Sequence, residues 1–292
     1  MKKLSILFCL LTIFGASLSD AQILYKIDGN GLKESSYVFG SHHLAPIAIV
    51  EESGAMNYFD HTSRVVGEID LTIDPLMLSL KLRPFMMAPA DSTLSKLISA
   101  EDMELLDEQF QKWSPVPGMK LQMLEPLKPI AVTSMIAAGI STEAMPGFDS
   151  EEQLDTYFFK KGKERGMEII GLETPEYQGE VLFESTPLTI QAEALVEMLR
   201  NPEQSVEAAA KLSKAYVDRD LDAMFELSKQ DDEHPEFMEK MLNKRNAEWM
   251  EKLPEIINEA PSFIVVGALH LAGEKGILEY FRSLGYTVTP LY

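Results

Sequence analysis

The chain contains little cysteine, few histidines and a deficit of basic residues. Its 292 residues include one cysteine, five histidines, and 26 lysines and arginines against 46 aspartates and glutamates. A single thiol, Cys9, excludes an internal disulfide and any metal site built from several cysteines. The net charge of −20 repels phosphate backbones and anionic membrane surfaces. The composition therefore predicts no nucleic-acid partner.

Long apolar runs are absent beyond the N-terminus. The first 21 residues combine Lys2 and Lys3, an apolar stretch at 4–14 and small residues at 19–21. This arrangement is typical of a secretory signal peptide, and the apolar stretch is too short to span a bilayer with these flanks. We expect cleavage near Ala21 and a mature chain that begins at Gln22. That chain would carry no thiol and no transmembrane segment, and it would be secreted or periplasmic.

The remaining residues, 22–292, predict a single α/β domain. β-prone runs at 23–27 and 36–39 flank a strong turn signal at 28–31, Asp-Gly-Asn-Gly, which indicates an N-terminal hairpin. The other candidate elements are strands at 64–69, 167–172, 263–266 and 287–290, and helical stretches at about 92–140 and 187–259. We predict a central mixed β-sheet of about five to seven strands with a large helical portion.

One short pattern, Gly-x-x-His, occurs near each end of the chain. Gly40 precedes His43, and Gly267 precedes His270; each glycine ends an apolar run. A glycine lets the chain turn sharply at the end of a buried strand. If the two strands are neighbours, both histidines reach the carboxyl edge of the sheet, where open α/β sheets bind ligands. The alternative is that both histidines only form local hydrogen bonds.

Glu68 follows the apolar run at 65–67 and would emerge at the same edge. Two histidines and a carboxylate form a known catalytic metal set. We therefore predict His43, His270 and Glu68 as catalytic residues and as ligands of a divalent metal cation. Imidazole and carboxylate suit Zn, Mn, Co or Fe without distinguishing them. Glu68 would alternatively act as a general base, or form a structural ion pair.

Glu173 and Arg245 are predicted as substrate-binding or supporting residues. Glu173 follows the strand candidate at 167–172, so its side chain would reach the same edge. Arg245 lies in a helical region, and its guanidinium can clamp a carboxylate or a phosphate with two hydrogen bonds. It can equally pair with Glu173 or Glu68 and only hold the site together.

Several segments occur in an order that is typical of one family. They are 24–27 (Leu-Tyr-Lys-Ile), 37–43 (Tyr-Val-Phe-Gly-Ser-His-His), 65–70 (Val-Val-Gly-Glu-Ile-Asp), 171–174 (Gly-Leu-Glu-Thr), 245–246 (Arg-Asn) and 266–276 (Val-Gly-Ala-Leu-His-Leu-Ala-Gly-Glu-Lys-Gly). In this set the chain resembles the TraB/GumN family, which includes the TIKI metalloproteases and is distantly similar to erythromycin esterases and ChaN. The first motif of the family is usually Gly-Thr-x-His, and here Ser41 replaces the threonine.

The resemblance implies an erythromycin esterase/ChaN-like fold and a hydrolytic function. In the TIKI branch, two Gly-x-x-His histidines and a glutamate are implicated in metal-dependent proteolysis, and these positions fall on His43, His270 and Glu68. We expect a metal-dependent hydrolase, peptidase-like or esterase-like, with a peptide or small-molecule substrate. One alternative is a non-catalytic binding protein for haem, a peptide signal or a polysaccharide precursor. Another is a metal-free, erythromycin-esterase-like hydrolase in which histidine and glutamate activate water directly.

Overall fold

A computed structural model describes residues 22–114, 118–145, 147–149, 152–230 and 235–292. The predicted signal peptide, 1–21, lies outside the described residues. The described strands are β1 (Leu24–Gly29), β2 (Ser36–Ser41), β3 (Arg64–Gly67), β4 (Glu168–Gly171), β5 (Ser262–Gly267) and β6 (Tyr286–Pro290). They form a single sheet in the order β4-β3-β5-β2-β1-β6.

The sheet is mixed, as predicted. β4, β3, β5 and β2 run parallel to one another, whereas β1 pairs antiparallel with both β2 and β6. β1 and β2 form the N-terminal hairpin expected from the Asp-Gly-Asn-Gly turn, in which Asn30 has a positive φ of 46°. Asparagine is among the few residues that adopt this left-handed conformation readily. The α/β fold class predicted from the sequence is therefore confirmed.

The central strands are buried because both of their faces are covered. All six residues of β2 are buried, and so are the first five of β5, which is typical of parallel strands between two helical layers. Gly40 lies opposite Val266, and Ser41 lies opposite Gly267. On the other side of β5, Gly67 of β3 lies opposite Val265. The carboxyl ends of β2, β5 and β3 therefore meet at one edge of the sheet.

Helices make up most of the rest of the described chain. They are α1 (Ala48–Glu52), α2 (Ala55–Phe59), α3 (Pro75–Met86), α4 (Leu94–Leu97), α5 (Ala100–Trp113), α6 (Leu121–Leu124), α7 (Pro129–Ala144), α8 (Leu154–Glu164), α9 (Pro175–Glu184), α10 (Leu188–Arg200), α11 (Pro202–Val217), α12 (Leu221–Gln230), α13 (Pro235–Met238), α14 (Arg245–Met250), α15 (Leu253–Glu259) and α16 (Ile277–Ser283). A π-helix, Glu239–Lys244, precedes α14, and a 3₁₀-helix, Ala268–His270, follows β5. No described helix combines the length and the apolar character needed to cross a bilayer.

The apolar side chains form two clusters. The larger one surrounds the sheet and includes Phe39, Phe158 and Phe263, whose rings pack against one another. The smaller one lies among α4, α5, α6, α7 and α10 and is centred on residues such as Phe110 and Leu195. The helical portion therefore has an apolar core of its own beside the sheet, and the polar side chains described next lie at the edge of the sheet.

Candidate functional site

The carboxyl edge of the sheet gathers the predicted site residues. Glu68 directly follows β3, Glu173 follows β4 by two residues, and His43 follows β2 by two residues. His270 ends the 3₁₀-helix after β5, and Arg245 is the first residue of α14. Five residues from distant parts of the sequence thus lie at one edge of the sheet. Four of them follow the ends of strands, and the fifth begins a helix.

Arg245 lies at the centre of this edge and is 3% exposed. Its Nε and Nη2 donate to the two carboxylate oxygens of Glu173 at 3.0 and 2.6 Å, which is a bidentate pair. The same Nη2 donates to Oε2 of Glu68 at 2.6 Å, and Nη1 donates to the main-chain oxygen of Met241 at 3.0 Å. Met241 belongs to the π-helix, a local widening that is frequent at functional sites. The structure therefore pairs Arg245 with both glutamates at once.

Glu68 is held by donors on several sides. Besides Arg245, the amide of Gly267 donates to its Oε1 at 2.9 Å and Nε2 of Gln178 donates to its Oε2 at 3.2 Å. Burial by itself raises the pKa of this carboxyl, but positive charge on His270 when protonated, on Arg245 and on His43 lowers the pKa to about 2. Glu68 is therefore an ionised, fixed carboxylate at neutral pH.

His270 is buried, and its tautomer follows from its partners. The side-chain nitrogen of Asn246 donates to the main-chain oxygens of His270 and Lys275 at 3.2 and 2.8 Å. Asn246 Oδ1 therefore faces Nδ1 of His270, at 2.6 Å, and accepts a hydrogen bond from Nδ1–H. Nε2 then carries a lone pair and accepts from Arg245 Nη1 at 3.2 Å. Burial first, and then the charge of Arg245, lower the pKa of His270 to about 3, so the ring is neutral at pH 7.

His43 has a different environment from its counterpart. Its side chain is 77% exposed, and its Nδ1 lies 2.5 Å from Oδ2 of Asp155, whose side chain is 12% exposed. The Asp155 carboxylate raises the pKa of His43 above the ordinary value of 6.5, and Glu68 acts in the same direction. Solvent around the ring screens both charges. The two Gly-x-x-His motifs therefore reach the same edge and present one exposed, readily protonated imidazole and one buried, neutral imidazole.

The glycines of the two motifs are required by close approach of the chain. A Cβ at Gly40 would lie 3.1 Å from the Cα of Ala268, in the 3₁₀-helix of the other motif. A Cβ at Gly267 would lie 3.3 Å from Oε1 of Glu68 and 3.5 Å from the ring of His270. The distances of 3.1 and 3.3 Å are tight for a carbon atom, and that of 3.5 Å is ordinary contact. The glycines thus let the two strand ends and the Glu68 carboxylate pack directly against one another.

A small cavity of about 70 Å³ opens beside Glu68. Its lining combines polar and apolar side chains, namely His43, Glu68, Ile69, Leu71, Asp155, Phe159, Gln178, Val265 and Val266. This volume holds a few water molecules or the reacting group of a larger molecule. The exposed imidazole of His43, its nearly buried partner Asp155 and the ionised carboxylate of Glu68 all line this cavity.

The donor atoms of this edge fit a guanidinium better than a metal ion. A divalent cation needs lone pairs from several ligands to converge on a free point. Here the lone pairs of Glu68 Oε2 and His270 Nε2 already accept N–H groups of Arg245. A dication beside the buried guanidinium would also be repelled by it. Among the described residues, no cluster of three or more His, Cys, Asp or Glu side chains has a metal-binding arrangement.

Sequence reasoning assigned no role to three side chains of this edge, although two of them, Gln178 and Asn246, belong to segments that carry the family resemblance. Asp155 lies in the first turn of α8, where acidic residues are common because they favour the helix N-terminus, so nothing marked it as special. Gln178 bridges Glu68 and Glu173, and it follows the Gly-Leu-Glu-Thr segment at 171–174. Asn246 follows Arg245 directly, and the resemblance in that Arg-Asn pair was the one available signal for it.

The fold and this edge define the class: an α/β protein with a buried arginine–carboxylate cluster and a histidine-lined cavity at the carboxyl ends of its parallel strands. The chain belongs to the TraB/PrgY/gumN family, whose model matches residues 23–290. Searches of the curated proteins and of the solved structures give no match. The family model covers nearly the whole described chain. Family membership indicates the fold but does not identify the reaction, which depends on the residues of the site.

Proposed function

We propose that this protein is a hydrolase that activates water at the cavity beside Glu68, with His43 as the general base. The observation that supports this best is the imidazole of His43, which opens onto the same cavity as the ionised Glu68 while its Nδ1 faces a carboxylate. The other imidazole of the edge, His270, has both nitrogens engaged. His43 is therefore the histidine that is able to exchange a proton with a bound molecule.

The chemistry assigned to His43 is acid–base catalysis of ester or amide hydrolysis. The ring acts as a base in its neutral form, which the raised pKa of His43 confines to alkaline pH. In that form Nε2 accepts a proton from a water molecule as the water oxygen forms a bond to the carbonyl carbon of the substrate. The imidazolium then gives that proton to the departing oxygen or nitrogen as its bond to the carbonyl carbon breaks. Glu68 favours the protonated ring, since its charge raises the pKa of His43, and such proton transfer contributes about 10²- to 10⁴-fold to a rate.

The remaining predicted residues support this arrangement. Arg245 and Glu173 keep Glu68 in place through the bidentate pair and the shared Nη2. His270 accepts from Arg245 and fixes the position of the guanidinium. In this proposal the three residues hold the charged wall of the cavity and contact no substrate.

The metal-dependent reaction, with His43, His270 and Glu68 as ligands, is the alternative that the resemblance to TIKI proteases supports. It requires Arg245 to release both Glu68 and His270, because those atoms would have to face the cation. Elemental analysis and turnover in strong chelator separate the two reactions. Full turnover in chelator supports the metal-free reaction, whereas loss of turnover that Zn²⁺ or Mn²⁺ restores supports the metal-dependent one.

A haem-binding function has less support from the site. Sites for drug-sized ligands occupy about 300–1,000 Å³, and the cavity that His43 lines is about 70 Å³. Nε2 of His270 accepts from Arg245 and would not be free as an axial ligand. A titration of the protein with haem, followed by visible absorption, tests this alternative directly.

The test of the proposed function is a panel of chromogenic esters and peptide amides with wild-type protein and two variants. His43→Gln removes the base, and His61→Gln replaces an exposed histidine whose Nδ1 faces the main-chain oxygen of Asn57. We expect at least a 100-fold loss of kcat for His43→Gln and no change for His61→Gln. Equal turnover in all three proteins would rule out His43 as the base.

A further inference from the structure

Asp155 and His43 form a pair that stability alone does not account for. An ion pair that involves a largely exposed side chain contributes about 0–1 kcal/mol, yet the carboxylate of Asp155 is nearly buried. Burying a carboxylate costs free energy unless a partner offsets the cost. The buried charge of Asp155 therefore interacts with the exposed ring of His43 at a cost in free energy. Such a pair is expected where the orientation of the ring matters.

Asp155 is supported by rigid surroundings. It lies in the first turn of α8, next to Leu154, and the same helix inserts Phe158 and Phe159 into the core of the sheet. Phe159 also lines the cavity. The helix packs against β3 and β5, the strands whose ends carry Glu68 and Gly267. The carboxylate is thus fixed relative to the cavity, although His43 itself lies on an exposed turn.

The contact with Asp155 determines which nitrogen of His43 is available. An ionised carboxylate only accepts hydrogen bonds, so Nδ1 of His43 carries the proton and donates to Oδ2. In the neutral ring, Nε2 then has the lone pair. His270 has the same tautomer, but its partner is the neutral amide of Asn246 and its Nε2 is capped by Arg245. Of the two partners, only a carboxylate stabilises an imidazolium.

We propose that Asp155 is a positioning residue of the hydrolytic site, which fixes the tautomer of His43 so that Nε2 faces the bound water. This inference rests on the proposed role of His43. Asp155 contacts neither water nor substrate in it. It acts only through the ring, by holding Nδ1–H and by stabilising the imidazolium that forms when Nε2 takes a proton.

The test replaces Asp155 by asparagine and follows kcat, KM and the ¹⁵N NMR signals of His43, at a pH where the ring is neutral. Asparagine lacks the negative charge, and its amide is able either to donate to Nδ1 or to accept from it, as Asn246 accepts from Nδ1 of His270, so the tautomer of His43 is no longer fixed. We expect a kcat loss of about 100-fold or more with little change in KM, and a ¹⁵N pattern in which Nε2–H is populated beside Nδ1–H. Asp155→Glu should restore part of kcat. Glu164→Gln, an exposed position on the same helix, is the matched control and should change neither.

The outcomes separate this inference from the proposed function. An Nε2–H pattern for His43 in the wild-type protein overturns the positioning role, whatever the activity. If Asp155→Asn is fully active while His43→Gln is inactive, the inference fails alone. If both variants are fully active, the proposed function fails with it. A Tm shift in Asp155→Asn without any change in kcat or in the ¹⁵N pattern would assign Asp155 a structural role.

Discussion

Arg245 links most of the charged side chains at the edge of the sheet. It contacts Glu68, Glu173 and His270 through hydrogen bonds, and its guanidinium lies 4.8 Å from the ring centre of Trp249. Two carboxylates and one guanidinium leave a net charge of −1 in a buried cluster. Such a cluster is stable only while every charge has its partner.

Replacing Arg245 by methionine should therefore destabilise the protein strongly. Glu68 and Glu173 would be left facing one another without a cation, and removal of one member of a buried ion pair costs about 3–5 kcal/mol. Urea denaturation at pH 7 measures the change. Arg282→Met is the control, because Arg282 and its partner Glu279 are 44% and 51% exposed, and it should cost about 1 kcal/mol or less. Equal losses for both variants would contradict the cluster's role.

Stability should also fall as the solution becomes acidic, in two windows. The pKa of His270 is about 3 in the folded protein and about 6.5 in an unfolded chain, so below pH 6.5 the unfolded state binds a proton that the folded state does not. Stability is therefore lost between about pH 6.5 and 3. Glu68, with a pKa lowered to about 2, adds a loss below about pH 4.5.

Urea denaturation between pH 7 and pH 4 checks this dependence. His270→Gln removes the group that titrates in the upper window, so its stability should fall less steeply than that of the wild type over this range. Parallel curves for the two proteins would show that His270 is not buried in the neutral form.

At the residue scale, the sequence predicted which side chains meet but not how they share their hydrogen bonds. The pairing of Arg245 with Glu68 or Glu173 was one of two alternatives that the sequence left open, and the structure has both pairs. The difference between His43 and His270 was unpredictable from matching motifs. It arises because the chain after Gly267 forms a 3₁₀-helix whose His270 packs against α14, whereas the chain after Gly40 continues to an exposed turn.

At the scale of elements, the helices of the smaller apolar cluster pack closely enough to require a glycine. Gly139 lies inside α7, where alanine is usually more stable by about 0.5–1 kcal/mol. Here a Cβ would lie 1.8 Å from the main-chain oxygen of Trp113, the last residue of α5. A main-chain atom of another helix cannot move aside without shifting that helix.

Gly139→Ala should therefore destabilise the protein by about 3 kcal/mol, even though alanine has a higher helix propensity than glycine. Thermal unfolding followed by circular dichroism measures it. Ser134→Ala, on an exposed position of the same helix, is the control and should change stability by about 0.5 kcal/mol or less. A gain in stability for Gly139→Ala would show that α5 and α7 are further apart than described.

Strands were easier to predict than helices in this chain. The apolar runs that end at Gly40, Gly67 and Gly267 gave the parallel strands, because buried strands read as short apolar stretches between turn signals. α3 was not predicted. More than half of its residues are apolar, and none is buried, so its sequence lacks the one-sided apolar pattern on which a helix prediction depends.

At the scale of the whole molecule, the N-terminal 21 residues should be absent from the mature protein. The two lysines, the apolar stretch and the small residues before Gln22 predict cleavage by a signal peptidase. Intact-mass measurement on protein purified from its natural host decides this. A mass that includes Met1, or a lipid attached to Cys9, would contradict both the cleavage and the secreted or periplasmic location.

The position of β5 also has a consequence for how the chain folds. β5 comes from the last eighth of the sequence and inserts between β2 and β3, which both come from its first quarter. Until residue 267 is available, β2 and β3 each expose an unpaired apolar edge, and such edges favour aggregation. Pairing over so long a stretch of sequence is intrinsically slow. A chain that ends before β5 should therefore aggregate, and the Glu68 carboxylate acquires its Gly267 donor only when the final strand closes the sheet.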